Sequence, residues 1–122
     1  MPEDHRRRTG QRGEAAAAEY LRQLGFEILL TNVRTREGEL DIIAREGEVL
    51  VFVEVRARHG PSYGTAAESV TLAKQRRLMA LAEAYLQTLA VQPTECRIDV
   101  VAIDFGPADR LRSIELIRNV TG

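Results

Sequence analysis

The stretch VLVFVEVRAR, residues 49 to 58, is a strand by its run of Val, Leu and Phe, and its two faces narrow the possible folds. Side chains alternate along a strand, so Val49, Val51, Val53 and Val55 share one face while Leu50, Phe52, Glu54 and Arg56 share the other. Both faces are apolar, which requires a central strand covered on both sides. An unpaired ionised carboxylate at Glu54 would be costly there and needs a partner.

The neighbouring segments supply that cover. A helix is expected from Thr9 or Gly10 through GEAAAAEYLRQL to Gly25, a residue suited to a left-handed C-terminal cap. FEILLTNVR, GELDIIARE and VLVFVEVRAR follow as consecutive strands, expected to be antiparallel. A loop is expected from Arg58 to about Val70, carrying Gly60, Pro61, Ser62, Tyr63 and Gly64. A second helix has apolar residues at 72, 79, 82, 86 and 89, widened by Leu78, Leu81 and Tyr85, and Pro93 lies past its end. CRIDVVAIDF and LRSIELIRN read as two further strands joined by a turn holding Gly106 and Pro107. The fold class is therefore α/β, in the order α-β-β-β-α-β-β: a mixed central sheet of about five strands flanked by helices.

A chain of 122 residues supports one core, so residues 1–122 are expected to form a single domain, with 1–8 and 120–122 flexible. No apolar run approaches the ~20 residues that span a bilayer and no signal-peptide pattern opens the chain, so a cytoplasmic protein is expected. Cys96 is the only cysteine, which excludes an internal disulfide and a multi-thiolate metal site. The formal net charge of −1 gives no global attraction to nucleic acid, but Arg6, Arg7, Arg8 and Arg12 form one basic cluster and Lys74, Arg76 and Arg77 another.

The strand before Glu54 carries Glu39, Asp41 and Ile43 on one face, opposite Leu40, Ile42 and Ala44. A two-residue Gly47-Glu48 turn with glycine first suits type II′, and it pairs Glu46 with Val49 and Asp41 with Glu54. A turn at Glu46-Gly47 changes the partner but keeps both acids on one face, whereas a three-residue loop separates them. Opposed carboxylates have Cβ atoms ~5 Å apart and repel unless a cation lies between them. A hard divalent ion such as Mg²⁺ fits, with Arg56 as a fixed charge nearby. Glu14 lies on the helix stripe of Ala17, Ala18 and Leu21 and points toward the same place. The alternative is an ion-paired cluster in which Arg56 neutralises Glu54, Asp41 sits at a strand end and Glu14 stabilises a helix N-terminus.

Taken together, RRTGQRGEAAAAEYLRQLGFEILLTNVRTREGELDIIAREGEVLVFVEVRAR, YGTAAESVTLAKQRRL and RIDVVAIDF resemble the YraN-like family of uncharacterised bacterial proteins, from about Arg8 to Asn119. These proteins in turn resemble restriction-endonuclease-like nucleases and archaeal Holliday junction resolvases. The resemblance implies a restriction-endonuclease-like core and a site of the PD-(D/E)xK type. Glu14 takes the position of the helix glutamate, Asp41 that of the metal-binding aspartate and Glu54 that of the second acidic ligand. Arg56 stands where a lysine is usual, and Lys74 matches a lysine of the second helix.

The implied reaction is phosphodiester hydrolysis with Mg²⁺ or Mn²⁺, the metal held by Asp41, Glu54 and Glu14. Arginine stays charged, so Arg56 can stabilise a phosphate but is a poor general base. A nuclease must hold a polyanion, and Arg8, Arg12, Arg58, Lys74 and Arg77 are the expected phosphate contacts. The expected partner is nucleic acid, DNA of branched or structured form by family analogy, with a homodimer possible by the same analogy. A second reading is a nucleic-acid-binding or adaptor module that keeps the fold without hydrolysis, and a third is a structural protein whose acids are salt-bridged.

Overall fold

The computed structural model describes residues 2–59 and 70–122, with side chains described from residue 10 onward. Helix α1 (Pro2–Gln23) leads into β1 (Glu27–Thr35), β2 (Gly38–Glu46) and β3 (Val49–His59). Helix α2 (Leu72–Leu86) crosses over to β4 (Glu95–Phe105), and a 3₁₀ turn (Pro107–Asp109) joins this to β5 (Leu111–Ile117). The strands form one five-stranded sheet in the order β1-β2-β3-β4-β5. The β3/β4 pair is parallel and the other pairs are antiparallel, as the crossover through α2 requires. This is the expected mixed α/β sheet in the expected element order. Among the described residues no helix is long and apolar enough to cross a membrane.

Helix α1 begins at Pro2, ahead of the expected Thr9 or Gly10; proline in a first helical turn forfeits no hydrogen bond. It ends where expected. Gly25 at φ +98° lets its N–H reach the Arg22 carbonyl (3.0 Å) and the Phe26 N–H reach that of Leu21 (2.9 Å), which is a Schellman cap.

Each face of the sheet has its own core. Ala17, Ala18 and Leu21 of α1 pack with Ile42, Ala44, Val51, Val53, Val101 and Ile103. Leu78, Leu81 and Ala82 of α2 pack with Leu40, Ile43, Phe52, Ile98 and Val100. In α2 the buried positions are 78, 81, 82 and 84, while Leu72 and Met79 face solvent, so the stripe is rotated from the expected 72 and 79 line. Cys96 lies at the start of β4 and is exposed.

The end of the sheet far from β3's C-terminus is fastened by charge. Asp99 is fully buried and accepts from Arg97 Nε (3.0 and 3.1 Å) and from the Asn119 N–H (2.8 Å). Arg97 and Arg118 both reach Glu46, and both lie over the Phe26 ring. Glu46 is shifted below the usual carboxylate range, first by its hydrogen bond from Arg118.

Candidate metal centre

The β2–β3 hairpin sets the depth of the site. Gly47 is left-handed (φ +60°) and Glu48 is not, the sign pattern of a type II′ turn, and the register runs Glu46↔Val49 to Ile42↔Val53. One further rung would oppose Asp41 and Glu54. At that rung the ladder stops: the Val55 N–H donates to Asp41 Oδ2 (2.8 Å), and β3 continues paired only with β4. A carboxylate side chain has replaced a strand carbonyl as acceptor.

The rung on the other side of Asp41 is also broken. Thr31 pairs with Ile42 and Val33 with Leu40, which leaves Asn32 opposite Asp41 at φ +52°, a left-handed residue inside a strand. The twist moves Leu40 into the same layer as Ile43, beneath α2, while Ile42 faces α1. The expected alternation, with Leu40 alongside Ile42, fails at this rung, where neither Asn32 of β1 nor Asp41 of β2 keeps its ladder pairing.

Helix α1 brings in Glu14 through its neighbour. A Cβ on the buried Gly13 would stand 2.9 Å from the Ala57 Cβ, so glycine lets the helix rest directly on β3. Glu14 then meets Glu39 and Asp41: one carboxylate oxygen from each lies within 4.8 Å of the others. Carboxylates only accept, so the Asn32 amide turns its NH₂ toward them, donating to Glu14 Oε1 (3.0 Å) and Oε2 (3.1 Å) and to Glu39 Oε1 (2.9 Å).

The electrostatics follow. Asp41 is pushed up to about 7, mainly by burial, with Glu54, Glu14 and Glu39 adding to the rise and the Val55 N–H opposing it. Glu14 is raised as well, by burial and by Glu39, against the lowering bond from Asn32. Glu54, with a side chain 16% exposed, lines a cleft with Glu39, Asp41, Leu40, Phe52 and Leu81. Its cation is Arg77 of α2, Nη1 to Oε2 at 3.9 Å.

The structure thus gathers Glu14 and Asp41 with Glu39, and sets Glu54 beside Asp41 but outside the group of three. Arg56 follows Glu54 on β3, half-buried, and makes no ion pair among the described residues; Arg77 holds the place expected of it at Glu54. Lys74 sits in the first turn of α2, where its backbone N–H donates to the capping Thr71 Oγ1 (3.3 Å). Arg58 pairs with Asp104 (3.3 Å), and Arg12 with Asp109 (3.1 Å), which also holds His59 (2.6 Å). The Arg8 side chain, His5 and the loop residues 60–69 with Tyr63 lie outside the described residues. Glu39 and Asn32 were not singled out as site residues from the sequence; the shared strand face of Glu39 and Asp41 was the available signal for the first.

Three hard oxygen donors suit a hard divalent cation. With metal–oxygen bonds of about 2.1 Å, opposite oxygens around Mg²⁺ stand roughly 4 Å apart and adjacent ones roughly 3 Å, so three carboxylates whose oxygens lie within 4.8 Å of one another would draw in to hold the ion.

The model of the uncharacterised protein family UPF0102 matches residues 13–103 of the chain, a span that holds Glu14, Asn32, Glu39, Asp41 and Glu54. A UPF0102 protein of Symbiobacterium thermophilum is 55% identical over 113 residues, covering 93% of this chain and 95% of its own. One from Dehalococcoides mccartyi is 48% identical over 119 residues (97% and 96%), and one from Rhodococcus opacus 49% identical over 102 (84% and 86%).

Proposed function

The chain belongs to the uncharacterised protein family UPF0102, and within that family we propose that it is a metal-dependent, nuclease-like protein that hydrolyses phosphodiesters in structured or branched DNA. The observation that carries the reading is the convergence of Glu14, Glu39 and Asp41, with oxygens within 4.8 Å, around an aspartate raised to about 7. Like charges brought together at a break in a sheet cost stability, and a bound cation repays it.

Glu14, Glu39 and Asp41 would hold a Mg²⁺ or Mn²⁺ ion, with Glu54 adjoining. Such an ion lowers the pKa of its bound water and neutralises phosphate charge. The Val55 N–H fixes the Asp41 carboxylate in orientation, and α1 carries Glu14 as a rigid arm. Arg77, 60% exposed at Glu54, is free to exchange that carboxylate for a phosphate. Arg56 and Lys74 add positive charge without competing ion pairs among the described residues.

Arg56 also supports a second reading: a module that binds nucleic acid and does not cut it, since a guanidinium cannot give up its proton to activate water. One experiment separates the two. Single-stranded, duplex, flap and four-way-junction DNA are incubated with Mg²⁺ or Mn²⁺ and wild type, Asp41→Ala or Arg56→Lys. Metal-dependent cleavage abolished in Asp41→Ala supports the nuclease, and cleavage that survives that change removes the site. A silent wild type that binds DNA and gains activity in Arg56→Lys selects the second reading.

A further inference from the structure

We infer that Asn32 is a positioning residue of the acid site, its amide holding Glu14 and Glu39 at the spacing a divalent cation needs. The inference rests on the metal-binding reading above. It starts from the backbone: Asn32 is left-handed in the interior of β1, directly opposite Asp41, where the ladder to β2 skips a rung. Asparagine is among the few residues with a side chain that tolerate this conformation, yet glycine meets the same backbone demand with less strain. What asparagine adds is the side chain.

That side chain stands between the carboxylates. With its NH₂ turned toward them, the amide nitrogen is within hydrogen-bond distance of both oxygens of Glu14 and of Glu39 Oε1. A neutral donor lowers the repulsion between Glu14 and Glu39 without neutralising either, so both keep the negative charge a cation requires. A lysine or arginine in its place would compete for the site. The left-handed turn and the amide are one device: without positive φ, the side chain of residue 32 would stand with its strand neighbours' alternation and not against α1. Ligand carboxylates are characteristically held by such outer hydrogen bonds, and losing one costs 10- to 100-fold in metal affinity, by order of magnitude.

The test uses the full chain and Mn²⁺ alone, with affinity from isothermal titration calorimetry and stability from thermal melting. Asn32→Gly keeps the backbone and removes the amide, and Asn32→Ala removes the amide and strains the backbone. Both are expected to bind Mn²⁺ roughly tenfold more weakly than wild type, although only the alanine variant pays the conformational strain. Asn32→Asp adds a fourth acid and is expected to melt lower without metal and to show a larger rise on adding Mn²⁺. Asn32→Gly binding Mn²⁺ as tightly as wild type overturns the inference, as does an affinity loss that tracks melting temperature across the variants. If wild type itself takes up no Mn²⁺, the metal reading falls and this inference with it; wild-type binding with unaffected Asn32→Gly removes only the role of Asn32.

Discussion

The backbone N–H of Val55 donates to the side chain of Asp41, not to a strand carbonyl. This bond both ends the β2–β3 ladder and fixes the acid at the centre of the cluster. It does so while Asp41 is raised to about 7 from its ordinary 3.8, because burial and three neighbouring acids outweigh one N–H.

A pH dependence follows from that shift. A carboxyl whose folded pKa lies above its unfolded one favours the fold when protonated, so this contribution is complete below pH 3.8 and is lost as pH rises through 7. Wild type is expected to lose stability relative to Asp41→Asn between pH 4 and 8, by at most about 4 kcal/mol. Thermal melts of both proteins across that range check it, and Mn²⁺ at pH 8 is expected to restore wild type alone. Parallel curves would contradict the electrostatic account.

Gly13→Ala is expected to destabilise the protein by about 1–3 kcal/mol through overpacking, although alanine is the better helix former. The new methyl would stand 2.9 Å from Ala57 Cβ. Adding Ala57→Gly should relieve the clash, and a double-mutant cycle by urea denaturation should give a coupling of about 1 kcal/mol. Strictly additive effects would mean that α1 shifts freely on the sheet.

Arg97→Ala leaves the fully buried Asp99 with only the Asn119 N–H and is expected to cost about 3–5 kcal/mol. Replacing the pair together, Arg97→Met with Asp99→Val, should cost much less because no charge is stranded. Chemical denaturation of the two variants decides the order.

Arg77→Ala is expected to change stability by less than about 0.5 kcal/mol, since its partner contact is long and the arginine exposed. Its effect should appear in DNA binding, as a salt slope shallower by about one. An unchanged slope would take Arg77 out of the interface.

The parts of this architecture legible in the sequence are those governed by short-range rules. Gly47 announces its turn, the turn fixes the register, and the register sets Asp41 opposite Glu54, one rung beyond the last paired residues Ile42 and Val53. Gly25 marked the end of α1 for the same kind of reason. Period-two counting fails at Leu40, at the rung where Asn32 and Asp41 interrupt the pairing of β1 with β2, and no count along β2 alone contains that interruption. In α2 the apolar pattern is broad enough to centre a stripe on 72 and 79, whereas the face packed with Phe52 runs through Leu78 and Leu81. Arg77 displaced Arg56 as the partner of Glu54 because a helix crosses over the strand, a relation that spacing on β3 cannot express.

The position of the break at Asp41 also bears on the order in which the protein is made. Glu14, Asn32, Glu39, Asp41 and Val55 are all synthesised before the first residue of α2. Ile43 and Phe52, on the reverse of the same strands, have no cover until α2 and β4 follow. The nascent chain therefore holds every group of its acid cluster while half its core is still unsynthesised, and the apolar underside of the β1–β3 meander is the surface a chaperone would meet first.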